Sequence, residues 1–359
     1  MTPEKSKSSL RIGSSQIRLL ERLCNACAVS GDEGEVRKIV LEQVKPHADE
    51  VKVDALGNVL VTRLGAGDGR LRVMLAAHMD EVGFMLTAED GEGFYRFDTV
   101  GGMDVRALVG KAVWIGREHL PGVIGAKPIH MAEKDELKRV IALDALRIDT
   151  GLGNKKLKIG DRAVFATNFA RHGPSLHAKA LDNRLGVATL VELVKHAPAN
   201  IDLLAAFTVQ EEIGGRGARV GAFALDPHLA IAIDSTPAYD LPPAEERENL
   251  RYNTRLGGGP AIYVADAGTL SDPRLIRHLV TTAEALSIPY QMRQPGGGGT
   301  DAGAIHQQRA GIPSVSVSVP GRYAHTAVSI ARISDWQDTL SLLYAALERL
   351  TPVLLSEER

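Results

Sequence analysis

The strongest indication of the fold is the stretch VMLAAHMD, which runs from Val73 to Asp80. Apolar residues run without interruption from Val73 to Ala77, and His78 and Asp80 follow them. An unbroken apolar run of this length is typical of a strand that is buried on both faces of a sheet. We therefore predict a central strand at 73–77 that ends in polar side chains.

Helical and strand patterns alternate on both sides of this strand. Towards the N-terminus, apolar residues recur at helical spacing over 16–28 and 35–44, and short strands are predicted at 51–53 and 59–64. Beyond residue 181 the predicted elements are a helix at 184–195, a strand at 203–209, a helix at 216–223, a strand at 229–233, a helix at 274–286, a strand at 314–319 and a helix at 336–350. This alternation predicts an α/β fold with a mixed central sheet flanked by helices.

A different pattern interrupts this alternation between residues 84 and 176. Short runs of alternating apolar residues are separated there by turn sequences such as Asp90-Gly91. We predict that residues 84–176 form a small β-rich domain. It would be inserted into a larger domain that is built from 1–83 and 177–359.

The composition excludes several classes of protein. The chain has 359 residues and a net charge of −2, so it carries no basic excess that would indicate nucleic-acid binding. It has no apolar run near the ~18 residues that a membrane span needs, and residues 1–15 do not resemble a signal peptide. Cys24 and Cys27 are too few for a disulfide framework. We therefore expect a cytoplasmic enzyme or binding protein without membrane or nucleic-acid partners.

Carboxylates and imidazoles follow the predicted strands at their carboxyl ends, which is where open α/β sheets bind ligands. These candidate site residues are His78, Asp182, Glu211, Glu212, Asp234 and His325. Two histidines with several carboxylates suit a pair of divalent ions such as Zn²⁺, Co²⁺ or Mn²⁺. A pair of ions about 3.5–4 Å apart needs a bridging carboxylate, and Asp182 at a helix start suits that position.

Two short spacings refine this hypothesis. His78 and Asp80 lie on one face of a strand, so Asp80 is predicted to hold the distal ring nitrogen of His78. Glu211 and Glu212 are adjacent, and the following Ile213-Gly214-Gly215 supplies a turn that would let both reach one centre. Either one glutamate caps the next helix, or one binds a metal while the other acts as a general base.

Seven segments together resemble metallopeptidase family forty-two, which includes the TET aminopeptidases, glutamyl aminopeptidase and FrvX-like aminopeptidases. The segments are AAHMDEVGFML (76–86), GVIGAKPIH (122–130), AKALDNRLG (178–186), VQEEIGGRGA (209–218), AIDST (232–236), GGGTDAGAIH (297–306) and RYAHT (322–326). The resemblance runs in order from about residue 20 to residue 350. It implies a zinc-exopeptidase-like fold and an enzyme that removes the N-terminal residue of short peptides, with two divalent metal ions per subunit.

The resemblance also implies a role for each site residue. One metal would be held by His78 and Asp234 and the other by Glu212 and His325, with Asp182 as the bridge. Glu211 would be the catalytic base that activates a bridging water, and Asp80 would be the partner of His78. Asn183 and Ala327 depart from the family pattern, in which Asp and Pro are common at these positions. The stretch 237–256 matches less well, which leaves the side-chain specificity open.

The resemblance further implies an assembly. Relatives use the inserted domain to form dimers, and the dimers assemble into a hollow tetrahedral dodecamer. We expect the same of residues 84–176, with Val105, Leu108, Trp114 and Ile115 as candidate contact residues unless they fill the core of this domain.

Two other functions use the same residues. A metal-dependent deacylase or amidase acting on N-acyl substrates would need the same ligands, and a non-enzymatic binder would show no hydrolysis. A glycosidase is excluded because its two carboxyl groups must flank a sugar bond, about 5–9.5 Å apart, which the adjacent Glu211 and Glu212 cannot do. For an acidic substrate residue, Arg251, Arg255 and Arg293 are candidate partners. The spacing of Cys24 and Cys27 is interpreted as two small core-facing residues of the first helix.

Overall fold

The computed structural model describes residues 10–135, 138–152, 156–242 and 253–359. The helices are α1 Ser14–Asn25, α2 Gly34–Val44, α3 Leu181–Lys195, α4 Arg216–Leu225, α5 Pro273–Leu286, α6 Asp301–Ile305, α7 Ile333–Glu348 and α8 Val353–Ser356. The strands are β1 Glu50–Val53, β2 Val59–Arg63, β3 Leu71–His78, β4 Gly83–Gly91, β5 Phe94–Val100, β6 Ala112–Ile115, β7 Leu120–Gly125, β8 Arg147–Asp149, β9 Arg162–Phe165, β10 Ala170–His172, β11 Ser175–Ala178, β12 Ile201–Thr208, β13 Leu229–Pro237, β14 Ala261–Tyr263, β15 Gln291–Arg293, β16 Ser314–Arg322 and β17 Ser329–Arg332.

A large mixed sheet forms the centre of the main domain. Its strands follow the order β1-β2-β12-β3-β13-β16-β17-β11-β10, and β14 pairs with β15 and with β16. The central strands β12, β3, β13 and β16 are parallel, whereas strands towards both edges are antiparallel. The carboxyl ends of the four parallel strands therefore meet at one edge of the sheet.

Both faces of this sheet are covered by helices. In β3, Val73, Leu75 and Ala77 pack into the core that includes α1, α2, α3, α5 and α7. The alternate residues Met74 and Ala76 pack against α4 and α6 on the other face. This two-sided burial explains why β3 has no polar residue between Val73 and Ala77, and it confirms the predicted α/β fold with its mixed sheet flanked by helices.

The inserted domain is a small barrel. Its strands pair in an antiparallel manner and close in the order β4-β5-β8-β7-β6-β9. Phe84 lies at the centre of its core, with its ring centroid 5.3 Å from that of Phe97 and 5.2 Å from that of Phe165, in edge-to-face contacts. The predicted β-rich insertion is thus confirmed as part of the fold.

The buried and exposed apolar side chains of the barrel differ from those expected for a subunit contact. Leu108 and Ile115 are fully buried, and Val105 packs against the same core. Exposed apolar side chains are found instead at Ile129 and Met131, which are 73% and 62% exposed. Leu108 and Ile115 therefore fill the barrel itself, because a closed barrel of short strands needs large side chains inside.

The last strands of the predicted insertion belong to the large sheet. β10 pairs with β11, and β11 pairs with β17 of the main domain. The barrel ends at β9, about ten residues before the predicted boundary at 176. β10 and β11 are short and partly polar, so their sequence does not show which sheet they join.

Among the described helices, none combines the length and hydrophobicity that a bilayer span requires.

The first helix is shorter than its sequence pattern indicates. α1 ends at Asn25, and the next residues turn so that the Ala28 amide donates to the Glu81 carboxylate over 3.1 Å. Cys24 faces the main core with no exposed surface, whereas Cys27 lies outside the helix and is half-buried. The interpretation of both cysteines as core-facing helical residues is therefore correct only for Cys24.

Candidate metal centre

All the predicted site residues lie together at the carboxyl edge of the parallel strands. His78 is the last residue of β3, and Asp234 lies in β13, which pairs with β3. Glu211 and Glu212 follow β12, and His325 lies just after β16. The remaining residue, Asp182, lies at the non-helical start of α3.

The ligand atoms form two groups that share Asp182. In the first group, His78 Nε2 lies 3.3 Å from Asp182 Oδ1 and 3.4 Å from Asp234 Oδ1. In the second, His325 Nε2 lies 3.5 Å from Asp182 Oδ2 and 3.2 Å from Glu212 Oε2. The two oxygens of Asp182 thus point to different histidines, which is the arrangement that a bridging carboxylate requires.

These separations fit ligands that surround a cation. Two ligand atoms that each lie ~2.0–2.1 Å from a tetrahedral Zn²⁺ are about 3.3 Å from one another. Asp182 Oδ1 is buried and has no hydrogen-bond partner within the described part of the chain, although His78 Nε2 lies close to it. The ligand atoms of each group therefore surround a position that a cation could occupy. Their nitrogen and oxygen donors suit borderline divalent metals.

Backbone carbonyl groups orient both histidine rings. His78 Nδ1 lies 3.2 Å from the carbonyl oxygen of Asp80, and His325 Nδ1 lies 2.7 Å from that of Gly102. Each contact leaves Nε2 directed at the carboxylates, and such second contacts fix the tautomer of a metal-binding histidine. Gly102 belongs to the barrel segment, so the inserted domain helps to orient His325. Sequence patterns could not reveal this contact, which joins residues 223 positions apart.

Asp80 does not hold the His78 ring through its carboxylate as predicted, because His78 Nδ1 faces the Asp80 main-chain carbonyl oxygen. Its Oδ1 lies 3.6 Å from His78 Nδ1, but its carboxylate accepts hydrogen bonds from the amides of Glu211 (3.0 Å) and Glu212 (3.1 Å). The Ser30 hydroxyl also donates to it over 2.6 Å. Asp80 therefore fixes the turn that presents both glutamates.

The site concentrates negative charge away from water. Burial raises the pKa of Glu212 to about 8 and that of Asp234 to about 6, and it raises the pKa of Glu211 well above its usual range. Burial alone would lower the pKa of His78, but the carboxylates of Asp182 and Asp234 raise it well above its usual value. Buried carboxylates that repel one another in this way form a site for cations.

Asn183 holds the segment around Asp182 in place. Its Nδ2 donates to the carbonyl oxygen of Ile233 over 2.7 Å, and its Oδ1 accepts from the Gly186 amide over 3.0 Å. The asparagine therefore ties the start of α3 to the strand residue that precedes Asp234. An amide satisfies both bonds without adding another buried charge, which explains physically how Asn183 can replace an aspartate here.

A buried ion-pair cluster lies behind the site. Lys179 Nζ lies 2.8 Å from Glu81 Oε1, and an Arg184 guanidinium nitrogen lies 2.9 Å from the same oxygen. All three side chains are at most 3% exposed. Arg184 also donates to the carbonyl oxygens of Met79 and Asp80. The cluster joins the end of β3, which carries His78, to the segment that carries Asp182.

We expect Glu81→Gln to destabilise the fold strongly. The amide leaves two buried cations without their shared anion, and breaking a buried ion pair by removing one partner costs about 3–5 kcal/mol. Urea unfolding of this variant should show that loss, while Glu89→Gln on the exposed end of β4 should lie within about 0.5 kcal/mol of the parent. A loss below about 1 kcal/mol for Glu81→Gln would show that the cluster does not hold this region together.

A cleft of about 650 Å³ opens over the ligands. Besides the ligands, its lining includes Arg219, Tyr263, Arg293 and Gly297–Gly299. The Arg293 guanidinium carbon lies 4.3 Å from the centre of the Tyr263 ring, and this side chain donates to the carbonyl oxygen of Gly297 over 2.8 Å. Of the arginines considered for an acidic substrate, Arg293 lines this cleft and the exposed Arg255 does not. Arg251 lies outside the described residues, and Arg219 was not predicted.

Comparison with known proteins identifies the family. The model of the M42 glutamyl aminopeptidase family matches residues 57–342. A putative aminopeptidase of Acetivibrio thermocellus is 38% identical over 92% of this chain and 97% of its own length. The lysyl aminopeptidase of Pyrococcus furiosus is 32% identical over 93% of this chain and 97% of its own length.

A solved structure extends the similarity to the three-dimensional fold. The TET1 peptidase of Pyrococcus horikoshii, which can assemble into a tetrahedron or a large octahedral shell, superposes with a TM-score of 0.82. It is 33% identical and covers 93% of this chain and 100% of its own. These similarities do not favour a deacylase. The chain belongs to the M42 glutamyl aminopeptidase family of metallopeptidases, and it is an aminopeptidase that hydrolyses the peptide bond after the N-terminal residue.

Proposed function

We propose that this aminopeptidase works with two divalent cations bound at the edge of its central sheet. His78 and Asp234 would hold one ion, Glu212 and His325 would hold the other, and Asp182 would bridge them. The main support for this proposal is that Asp182 lies between the two histidines and directs one carboxylate oxygen towards each. The nitrogen and oxygen donors fit Zn²⁺, Co²⁺ or Mn²⁺.

Glu211 is the general base of the proposed reaction. The two metal ions, when bound, would polarise the scissile carbonyl and lower the pKa of the attacking water. The Glu211 side chain lines the cleft beside the ligands, and burial raises its pKa, which strengthens the carboxylate as a proton acceptor. Asp80 keeps this side chain in position through the Glu211 amide, so Glu211 can take a proton from water and pass it to the leaving amine.

A panel of aminoacyl anilides tests this function. The protein is treated with a chelator, and turnover is then measured after Zn²⁺, Co²⁺ or Mn²⁺ is added back. We expect hydrolysis of anilides with a free amino group, no hydrolysis after N-acetylation, and no activity without added metal. Faster cleavage of the acetylated substrates would support the deacylase in place of the aminopeptidase.

We propose an acidic N-terminal residue as the preferred substrate. Arg219 and Arg293 line the cleft together with the metal ligands, and a charge-assisted hydrogen bond contributes about 1.5–3 kcal/mol. Arg219→Ala is therefore expected to lower kcat/KM for a glutamyl anilide by about 10–100-fold, with little change for alanyl anilide. Arg216→Ala, on the same helix but outside the cleft lining, is the matched control. A parent enzyme that prefers leucyl over glutamyl anilide would contradict the acidic preference.

We propose that the barrel, within residues 84–176, is the dimerisation domain and that the dimers build a dodecamer. The exposed Ile129 and Met131 supply the apolar surface that a self-complementary contact needs. Light scattering should then give about twelve times the chain mass of 38.5 kDa. The double substitution Ile129→Asp with Met131→Asp should reduce that mass, whereas Val353→Asp on α8 should not. A monomer at micromolar concentration would contradict this assembly.

A further inference from the structure

A second group of metal-binding side chains lies away from the cleft. Cys27 follows α1, Glu35 lies in the first turn of α2, and His119 lies in the turn between β6 and β7 of the barrel. One ligand atom from each residue lies within 4.8 Å of the ligand atoms of the other two. The group therefore joins the main domain to the inserted barrel.

We propose that Cys27, Glu35 and His119 bind a divalent cation of the zinc class and thereby tie the barrel to the main domain. A thiolate, an imidazole and a carboxylate together are typical protein ligands of Zn²⁺, and the sulfur excludes hard cations such as Mg²⁺ and Ca²⁺. The assignment uses residues that have no part in the proposed reaction, so it is independent of the two-metal centre.

The contacts within the group already orient its donors. Glu35 Oε2 accepts a hydrogen bond from the Cys27 amide over 2.9 Å, which directs the other carboxylate oxygen towards the barrel. Glu35 Oε1 lies 2.6 Å from His119 Nε2. Because that separation is shorter than the ~3.3 Å expected between two ligands of one tetrahedral ion, an arriving cation replaces the proton between these two atoms and moves them apart.

The surroundings leave room for an ion and for water. The three side chains are half-buried, and Cys27 and Glu35 line a cavity of about 440 Å³. A site with three protein ligands keeps at least one position for water, and the cavity provides the path by which the ion enters. Asp32 lines the same cavity and offers a further carboxylate.

The charges of the group match a divalent ion. A thiolate and a carboxylate carry two negative charges, and neutral His119 adds none, so the loaded site is neutral. Burial raises the pKa of the Cys27 thiol to about 12, which means that the ion must displace a proton from sulfur.

Several cations face the same cavity. Arg37, Lys38, Arg117 and Arg162 all line it. Arg37 donates to the carbonyl oxygen of Gly57 over 2.8 Å and Arg162 donates to that of Gly160 over 2.6 Å, so both guanidinium groups have other partners.

Cobalt substitution tests the site directly. The cleft ligands are all nitrogen or oxygen, and Cys24 and Cys27 are the only cysteines of the chain. A near-ultraviolet thiolate-to-cobalt charge-transfer band would therefore show that a cysteine binds Co²⁺. Co²⁺ bound in the cleft would not produce this band. We expect this band when Co²⁺ is added to the chelator-treated protein. It should vanish in Cys27→Ser and in His119→Ala, and it should persist in Cys24→Ser, the matched control.

Thiol alkylation gives a second measurement that needs no variant. Only the free thiol reacts, so Zn²⁺ at ten times its dissociation constant should slow alkylation of Cys27 by roughly tenfold. Absence of the cobalt band in a protein whose aminopeptidase activity Co²⁺ has restored would overturn the proposal. So would a band that survives in Cys27→Ser, or Cys27 alkylation that is unaffected by Zn²⁺.

Discussion

Glu211→Gln is expected to reduce turnover by about 10²–10⁴-fold while leaving the metal content near two ions per chain at the centre. The amide keeps the shape of the side chain but cannot accept a proton from water. Glu211 makes none of the close contacts with His78 or His325 that define the two ligand groups, so its replacement should spare metal binding. Steady-state kinetics measure the turnover, and elemental analysis compares the metal content of the variant with that of the parent.

The control for this variant is Glu89→Gln, which makes the same chemical change on the exposed part of β4. It should retain the turnover and metal content of the parent. A Glu211→Gln enzyme with near-parental turnover would contradict the assignment of the base. Loss of one ion in this variant would instead make Glu211 a ligand.

Asp182→Ala is expected to abolish activity and to weaken binding of both ions. It removes the carboxylate whose oxygens face His78 and His325, and it leaves two neighbouring cations with less negative charge to offset their repulsion. His78→Ala or His325→Ala removes a ligand from one group alone, so each should be less damaging. Calorimetric titration with Zn²⁺ after chelator treatment compares the three variants.

Asp182→Ala must remain folded for this comparison to hold. Asp182 repels Glu212 and Asp234, but it also raises the pKa of His78 and His325 by pairing with them, so its removal is expected to cost some stability in the absence of metal. Thermal unfolding in chelator checks this. Two tightly bound ions in folded Asp182→Ala would show that Asp182 is not the bridge.

Much of the candidate site could be predicted because the relevant patterns are local. The apolar run from Val73 to Ala77 is a buried strand, and the chain places a polar residue directly after such strands. Parallel strands bring their carboxyl ends to one edge, so the residues that follow β3, β12 and β16 had to meet there. The type of residue at each end then indicated a metal.

The remaining features depend on contacts between distant parts of the chain. The three hydrogen bonds to the Asp80 carboxylate come from Ser30, Glu211 and Glu212, and no periodicity links these positions. The Gly102 carbonyl contact with His325 requires the barrel to be docked against the main domain. The side-chain burial of Leu108 likewise depends on closure of the barrel, which a strand pattern does not specify.

The two-metal account is tested most directly by anomalous diffraction from crystals grown with Zn²⁺. We predict two zinc peaks in the cleft, about 3.5–4 Å apart and on opposite sides of the Asp182 carboxylate. One should contact His78 and Asp234, and the other Glu212 and His325. A single peak at this edge of the sheet, or two peaks that do not share Asp182, would contradict the account.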